Sequence, residues 1–436
     1  MSQPSKVEKN QYMAFNILLL KTCFIWPLDC RNRLVLLIYR LMTWSTCFVL
    51  AFVSIGQLLK ICVSLDLQEL SSTVDVFTMT ASALYKMVFL MYNMETLLRI
   101  VQVVHTQFEE YPIRGIHKFT MSSHIGPCSL YSSLYVLAGV ISSFVWNFAP
   151  HFFSPMCLIT DPTAPLTIKN RKVMPINIWL PINIAESPAY EIIFALESYT
   201  FSMSTILYLS IDAFFFYLIH VISGQLKLID ASFKSLFILD ERLKHEHATR
   251  LREMSKHPDA GSLTVSKSVR LEDSLRQYRH HVLNRNLNSI VKIHATVLEL
   301  IRTVEILFSS TIGIDFLHAI LSLSFALFQT QMTVAFIDTV KMYLFLVICI
   351  VHQFSNNFFG EMLIHFQHII VNSIYESPWY TGDSSFKRSV RIITNRSLKP
   401  VKLEGFKMFI LCLHTFVELC KRIFSFYTVL SEVSKS

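Results

Sequence analysis

The chain has 436 residues, of which 52% are apolar and only 16% charged, and its mean hydropathy is +0.44. Soluble domains carry about 25% charged residues, so this composition excludes an ordinary soluble protein and points to an integral membrane protein. The formal net charge of +8 is accounted for by basic loops on one side of a membrane, and no segment is left over to bind nucleic acid.

Phe occurs 35 times and Gly 10 times, which favours Phe-, Leu- and Ile-rich helices over a glycine-punctuated barrel. Residues 1–30 lack an apolar core followed by a small-residue cleavage site, so no cleaved signal peptide is expected. The nine cysteines lie mostly inside apolar segments without paired spacing and read as small buried hydrophobes, although Cys62 and Cys157 could meet outside the cell. There is no phosphate-binding loop, nucleophile motif or dinucleotide fingerprint, so neither enzymatic chemistry nor a cofactor is expected. His280 and His281, and likewise His365 and His368, lack companion ligands at zinc-like spacing; they are assigned to a solvated inner surface, with no metal.

In chain order, residues 1–33 form a short basic segment whose apolar patch, YMAFNILLL, is too brief to span and suits the membrane interface. The block 34–222 holds four apolar runs long enough to cross a hydrocarbon core of roughly 30 Å: about Leu34–Leu59, Val74–Leu98, Ser129–Phe148 and Ile192–Ile222. Between the third and fourth, residues 149–191 carry Pro150, Pro155, Pro162, Pro165, Pro175, Pro181 and Pro188. Repeated prolines exclude a continuous helix, while Trp179 and Tyr190 suit a cap at headgroup level. Residues 223–296 are a long basic loop whose second half keeps a helical period through Leu271, Leu275, Val282, Leu283, Leu287 and Ile290, so the next helix begins outside the bilayer. The fifth and sixth spans, about Val297–Phe328 and Thr333–Phe359, fill 297–359 across a tight turn. A second basic stretch of loop and helix, 360–407, leads to a last span within 408–432.

Basic loops after the fourth and sixth spans place the amino terminus inside and, after seven spans, the carboxyl terminus outside, the reverse of a G-protein-coupled receptor. Lys86, Glu197, Asp212 and Lys341 fall inside spans, where an ionised group is costly, and so need partners on other helices. Along the last span Glu418, Arg422, Ser425, Val429 and Glu432 recur every three or four residues and share one face. Such a stripe turns toward protein or water. It would line a pore if several copies met around an axis, or else pack on neighbours, and an i,i+4 pair with Glu418 would neutralise Arg422.

YESPWY, then IITNRSLKPVKLEGFKMF and the terminal FSFYTVL resemble the carboxyl-terminal signature of insect odorant receptors. MPINIWLPINIAESPAYEIIFALESY is similar to that family's second outer loop running into its fourth span. The Thr-Tyr and Gln-Phe signature of insect gustatory receptors is missing from the last span, and that sister family stands as the alternative. The resemblance implies an all-α integral membrane protein with seven transmembrane helices, a subunit of a tetrameric, odorant-gated, non-selective cation channel. Its pore would come from the last helix of each subunit, and its partner would be the odorant receptor co-receptor in the dendritic plasma membrane of an olfactory neuron. The chain resembles a ligand-tuned subunit, because the co-receptor has a longer inner loop after its fourth span and a Gln where Glu432 stands. By the same register the family's hydrophobic gate maps onto Val429, with Ser425 and Glu432 as polar flanks. The family's ligand site, in the outer halves of the second, third, fourth and sixth spans, maps onto Phe77, Thr80, Ala81, Leu84, Ser143, Phe144, Asn147, Tyr199, Met203, Ser204, Phe336 and Tyr343. Aromatic and aliphatic walls with a few hydroxyls suit a small, volatile, apolar ligand with one acceptor group.

Overall fold

A computed structural model describes residues 14–28, 30, 32–64, 66–109, 127, 129–148, 174–181, 188–255, 261–332, 336–377 and 379–433. Among them the chain is almost wholly helical. In order the helices are α1 (Ala14–Thr22), α2 (Arg33–Val63), α3 (Leu67–Glu109), α4 (Ser129–Phe148), α5 (Ala189–Ser255), α6 (Gly261–Met332), α7 (Phe336–Tyr375), α8 (Ser384–Ser397) and α9 (Leu413–Val433). A two-residue hairpin pairs β1 (Glu404–Gly405) antiparallel with β2 (Phe409–Ile410). Pro150, Pro155, Pro162, Pro165, Cys157 and Thr333 lie outside the described residues.

Among the described residues six helices, α2 to α7, are long and apolar enough to cross a membrane. At 1.5 Å per residue the 21 residues of α9 also reach about 30 Å, but Glu418, Lys421, Arg422 and Glu432 make it amphipathic. Instead of beginning near Met408, as its apolar run suggests, this helix begins at Leu413. Residues 404–410 turn back as the hairpin, with Phe406 and Lys407 at φ 51° and 57°. The hairpin docks where two glycines let backbones touch: a Cβ on Gly405 would lie 2.7 Å from the Gly313 nitrogen, and Phe406 N–H donates to Ser309 O at 3.2 Å. Glu361 of α7 then accepts the Leu413 N–H at 3.2 Å and caps the start of α9.

The stretch 223–255, expected to be loop, is helix. α5 runs unbroken for 67 residues and α6 for 72, about 100 Å each, so both project far beyond a 30 Å core. The cause is amphipathic burial, for Leu226, Leu228, Ile229, Phe233 and Leu236 stay in the core while Lys227, Lys234, Glu241 and Arg242 face outward. Across this projecting hairpin Arg279 grips Asp240 with Nε at 2.5 Å and Nη2 at 3.0 Å, and Lys244 adds a contact at 2.9 Å. In α8, the Asp383 side chain caps the helix through Phe386 N–H at 2.8 Å and accepts from Asn284 of α6 at 3.1 Å, while Phe386, Val390 and Ile393 are buried.

α5 is the central element, because from Leu207 to Ile222 every residue is buried, as a helix surrounded by others must be. The patch expected at the interface, α1, packs on it instead: Ile17, Leu20 and Trp26 are buried in the main core and Trp26 lies 6.1 Å from Phe214. A second, smaller core joins Ile176 and Ile178 of the proline-containing connection to Val53, Val76, Met79, Trp146, Ile193, Phe201 and Met342. Main-chain bonds pin that connection, with Trp179 N–H donating to Gly56 O at 3.1 Å, Ile176 N–H to Glu197 at 3.2 Å and Trp146 Nε1 to Pro175 O at 3.2 Å. Glu197, expected to pair with another helix, thus accepts from a main-chain N–H of the connection.

Candidate ligand-binding site

Beneath this small core a cavity opens between α3, α4, α5, α6 and α7. It offers about 540 Å³ free of atoms, the open space at its mouth included, of which about 60 Å³ admits the centre of a water molecule. One water needs roughly 10–15 Å³ by that measure, so the cavity takes roughly four to six water-sized groups before any side chain moves. The lining follows helical faces. On α4 it is Tyr135, Gly139, Ser142 and Ser143; on α5 Phe201, Thr205, Tyr208 and Leu209; on α7 Phe345, Ile348, Cys349 and His352; Met79 and His318 complete it. Spacings of three, four and seven residues mark one stripe on each helix.

The floor of the cavity is polar and rests on a buried ionic cluster. Lys86 Nζ of α3 lies 2.6 Å from Asp212 Oδ1 of α5 and 2.8 Å from Asp315 Oδ1 of α6. His352 Nε2 of α7 lies 2.9 Å from Asp212 Oδ2, Tyr208 OH donates to Asp315 Oδ1 at 3.0 Å, and Lys86 sits 3.6 Å above the Tyr208 ring. All of these residues are buried. The donor atoms of Asp212, Asp315 and His352 lie within 4.8 Å of one another, yet the Lys86 ammonium contacts both carboxylates there, so the cluster supplies its own cation. Four helices are cross-linked by this network, and three of its neighbours, Tyr208, His318 and His352, face the cavity.

Of the residues singled out in the sequence, Ser143 lines this cavity. Thr80, Asn147, Met203 and Ser204 are buried close by: Thr80 donates to Gln57 at 2.7 Å, and Asn147 donates to Ser143 O at 2.9 Å and Ser202 at 3.2 Å. Phe77, Ala81 and Leu84 are half-buried on α3. Phe144, Tyr199 and Tyr343 are exposed on the outside of the chain, and Tyr199 meets Thr46 of α2 at 3.0 Å. The Phe336 side chain lies outside the described residues. Phe77, Tyr199 and Tyr343 stand two positions from the lining residues Met79, Phe201 and Phe345, and two positions is about 200° around a helix. These three expected residues thus sit on helices that line the cavity but face away from it.

Asp315 and His352 have no counterpart among the residues expected from the sequence. The signal for Asp315 is the one that marked Asp212, an acid inside an apolar helical run, here IGIDFLHAIL. On α9, Leu419 and Ile423 are buried against the rest of the chain, whereas Ser425, Val429 and Glu432 are exposed. Glu418 pairs with Lys421 at 2.8 Å instead of Arg422; Glu418 and Arg422 line an open groove beside Phe316 and Ile320.

Membrane-length helices packed around a small, largely apolar cavity define a multi-pass helical membrane protein. The chain belongs to the 7tm Odorant receptor family, whose model matches residues 66–424, and this places it among receptors instead of enzymes. It is 24% identical over 172 residues to odorant receptor 67c of Drosophila melanogaster, a match covering 37% of this chain and 40% of that one. A second odorant-receptor relative from the same organism is 26% identical over 145 residues, 33% of this chain and 35% of its own length. In three dimensions the fold is similar to the insect olfactory receptor OR5 from Machilis hrabei in complex with eugenol, with a TM-score of 0.75 and 14% identity over 98% of this chain and 99% of that chain. A second OR5 structure gives 0.74 and 13% over the same shares.

Proposed function

We propose that the chain is the ligand-tuned subunit of an odorant-gated, non-selective cation channel. It would be assembled as a tetramer with the odorant receptor co-receptor in the plasma membrane of olfactory neuron dendrites, amino terminus inside. The observation that carries the reading is the cavity between α3, α4, α5, α6 and α7: apolar walls with a few hydroxyls, sized for a small ligand, in a chain of the odorant receptor family. We place the ligand there, with Ser143 in contact and Thr80, Asn147, Met203 and Ser204 shaping the walls behind. Exposure of Ser425, Val429 and Glu432 on α9 supports a role for that face outside the chain's own core. A ring of Val429 side chains around an axis would exclude water when closed, and Glu432 at the mouth would attract cations. Opening would follow if ligand binding favours one arrangement of the cavity helices over another.

The test is expression with the co-receptor in a non-neuronal cell and current recording during an odorant panel. Rapid, reversible, ligand-dependent cation current is the expected result. Slow current that requires a G protein, or uptake without conductance, would contradict it.

A further inference from the structure

We propose that the ligand of this cavity is a neutral, oxygen-bearing small molecule, held with its oxygen at the Tyr135 hydroxyl and its hydrocarbon part toward Met79, Phe201 and Phe345. This rests on the reading above that the cavity is the ligand site, and adds the chemical class and the orientation. Tyr135 is 6% exposed and lines the cavity, and its hydroxyl has no hydrogen-bond partner among the described residues. Beside it, Tyr131 pairs with Ser355, Tyr208 with Asp315, His318 with Thr78 and His352 with Asp212, so none of these four calls on its hydroxyl. A buried hydroxyl left unbonded is costly, and native chains keep few of them without a ligand or water to take the bond.

Nor can the phenol turn away to find a partner. Its ring stacks on Tyr131 with centroids 6.3 Å apart, meets Phe216 edge-on at 5.7 Å and lies 6.3 Å from His352. Ser143 also has an unpartnered hydroxyl in the lining, but a serine on a helix can rotate to the carbonyl four residues back, whereas a locked phenol cannot. The O–H donor calls for an acceptor atom, which the oxygen of an alcohol, phenol, aldehyde, ketone or ester supplies. A charged head is disfavoured, because Lys86 and the two carboxylates beneath already face one another and an unpaired charge at this depth carries a large desolvation cost. Tyr135 and Ser143 are eight residues apart, about 12 Å of helix rise. The hydrocarbon thus lies toward the outer end, where Met79, Phe201 and Phe345 belong to the small apolar core or pack on it.

The test compares matched hydrocarbons and oxygenated partners, such as hexane with hexanol and hexanal, or toluene with benzyl alcohol and benzaldehyde, within a broad odorant panel. It is applied to cells expressing the chain with the co-receptor. The oxygenated members should be the more potent on the wild-type chain. Tyr135→Phe removes the donor and keeps the ring, and should raise the half-maximal concentration about three- to tenfold for oxygenated ligands, the effect of one hydrogen bond, with hydrocarbons unmoved and surface level unchanged. Equal shifts for both classes, or no shift, would overturn the inference while leaving the cavity as the ligand site, and would mean that Tyr135 holds only water. Hydrocarbons as potent as their oxygenated partners on the wild-type chain would overturn it without any variant. A wild-type chain silent to the whole panel would count against the underlying reading and remove this one with it.

Discussion

Lys86 shows how far a single residue can be read from its surroundings. A cation inside an apolar helix announces that it needs a partner, and Asp212 could be named with it from the sequence alone. That Lys86 also meets Asp315, and Asp212 also meets His352, could not be read there, because those contacts join helices more than a hundred residues apart in the chain. Removing Lys86 would leave two buried carboxylates side by side. Lys86→Met should therefore destabilise the fold by about 3–5 kcal/mol, visible as lost surface expression and a lower melting temperature in detergent. Adding Asp315→Asn to the same chain should recover part of that loss, since it removes one uncompensated charge. If the double variant is no more stable than Lys86→Met, the cluster is not held by charge balance.

At the scale of elements, hydropathy makes the membrane-length helices legible but hides their extensions. Asp240, Lys244 and Arg279 are solvated-loop residues by composition, yet the structure places them on two helices where a bidentate contact ties α5 to α6 well beyond the bilayer. Burial alone would raise the Asp240 carboxyl, but Arg279 and Lys244 outweigh it and hold it below its ordinary value. A depressed carboxylate contributes stability above its unfolded value of about 3.9 and loses it as pH falls through the lower folded value. Near neutral pH the contact is therefore fully present. Asp240→Asn should lower the melting temperature at pH 7 and flatten its decline below about pH 4; equal declines in both proteins would exclude the contact as the source. On α9 the demand is different. Val429→Ser should raise ligand-independent current by wetting the constriction, and Glu432→Lys should lower cation conductance at the mouth. In a mixed assembly both effects should be graded, and single-channel recording resolves them. If both variants assemble yet leave conductance and resting current untouched, the pore belongs to the partner subunits alone.

For the whole molecule, orientation and the ligand site remain the quantities to test. Asn395-Arg396-Ser397 forms a glycosylation sequon at the end of α8, with Asn395 exposed and Ser397 buried, and the proposed orientation puts it in the cytosol. It should stay unmodified, and a mobility change on endoglycosidase treatment that Asn395→Gln abolishes would reverse the orientation. Span positions were legible because burial in lipid demands long apolar runs. The faces that line the cavity were not, since a shift of two residues along a helix leaves hydropathy unchanged while Tyr199 faces outward and Phe201 inward. The most direct measurement of the central claim is odorant-evoked current from Ser143→Leu, which fills the cavity without touching α9. At normal surface expression, the half-maximal concentration should rise at least about tenfold, or the response vanish, for every active odorant, as expected when an added buried side chain of this size displaces the ligand. Dose–response curves unchanged from wild type across all active odorants would contradict the account and place the ligand elsewhere.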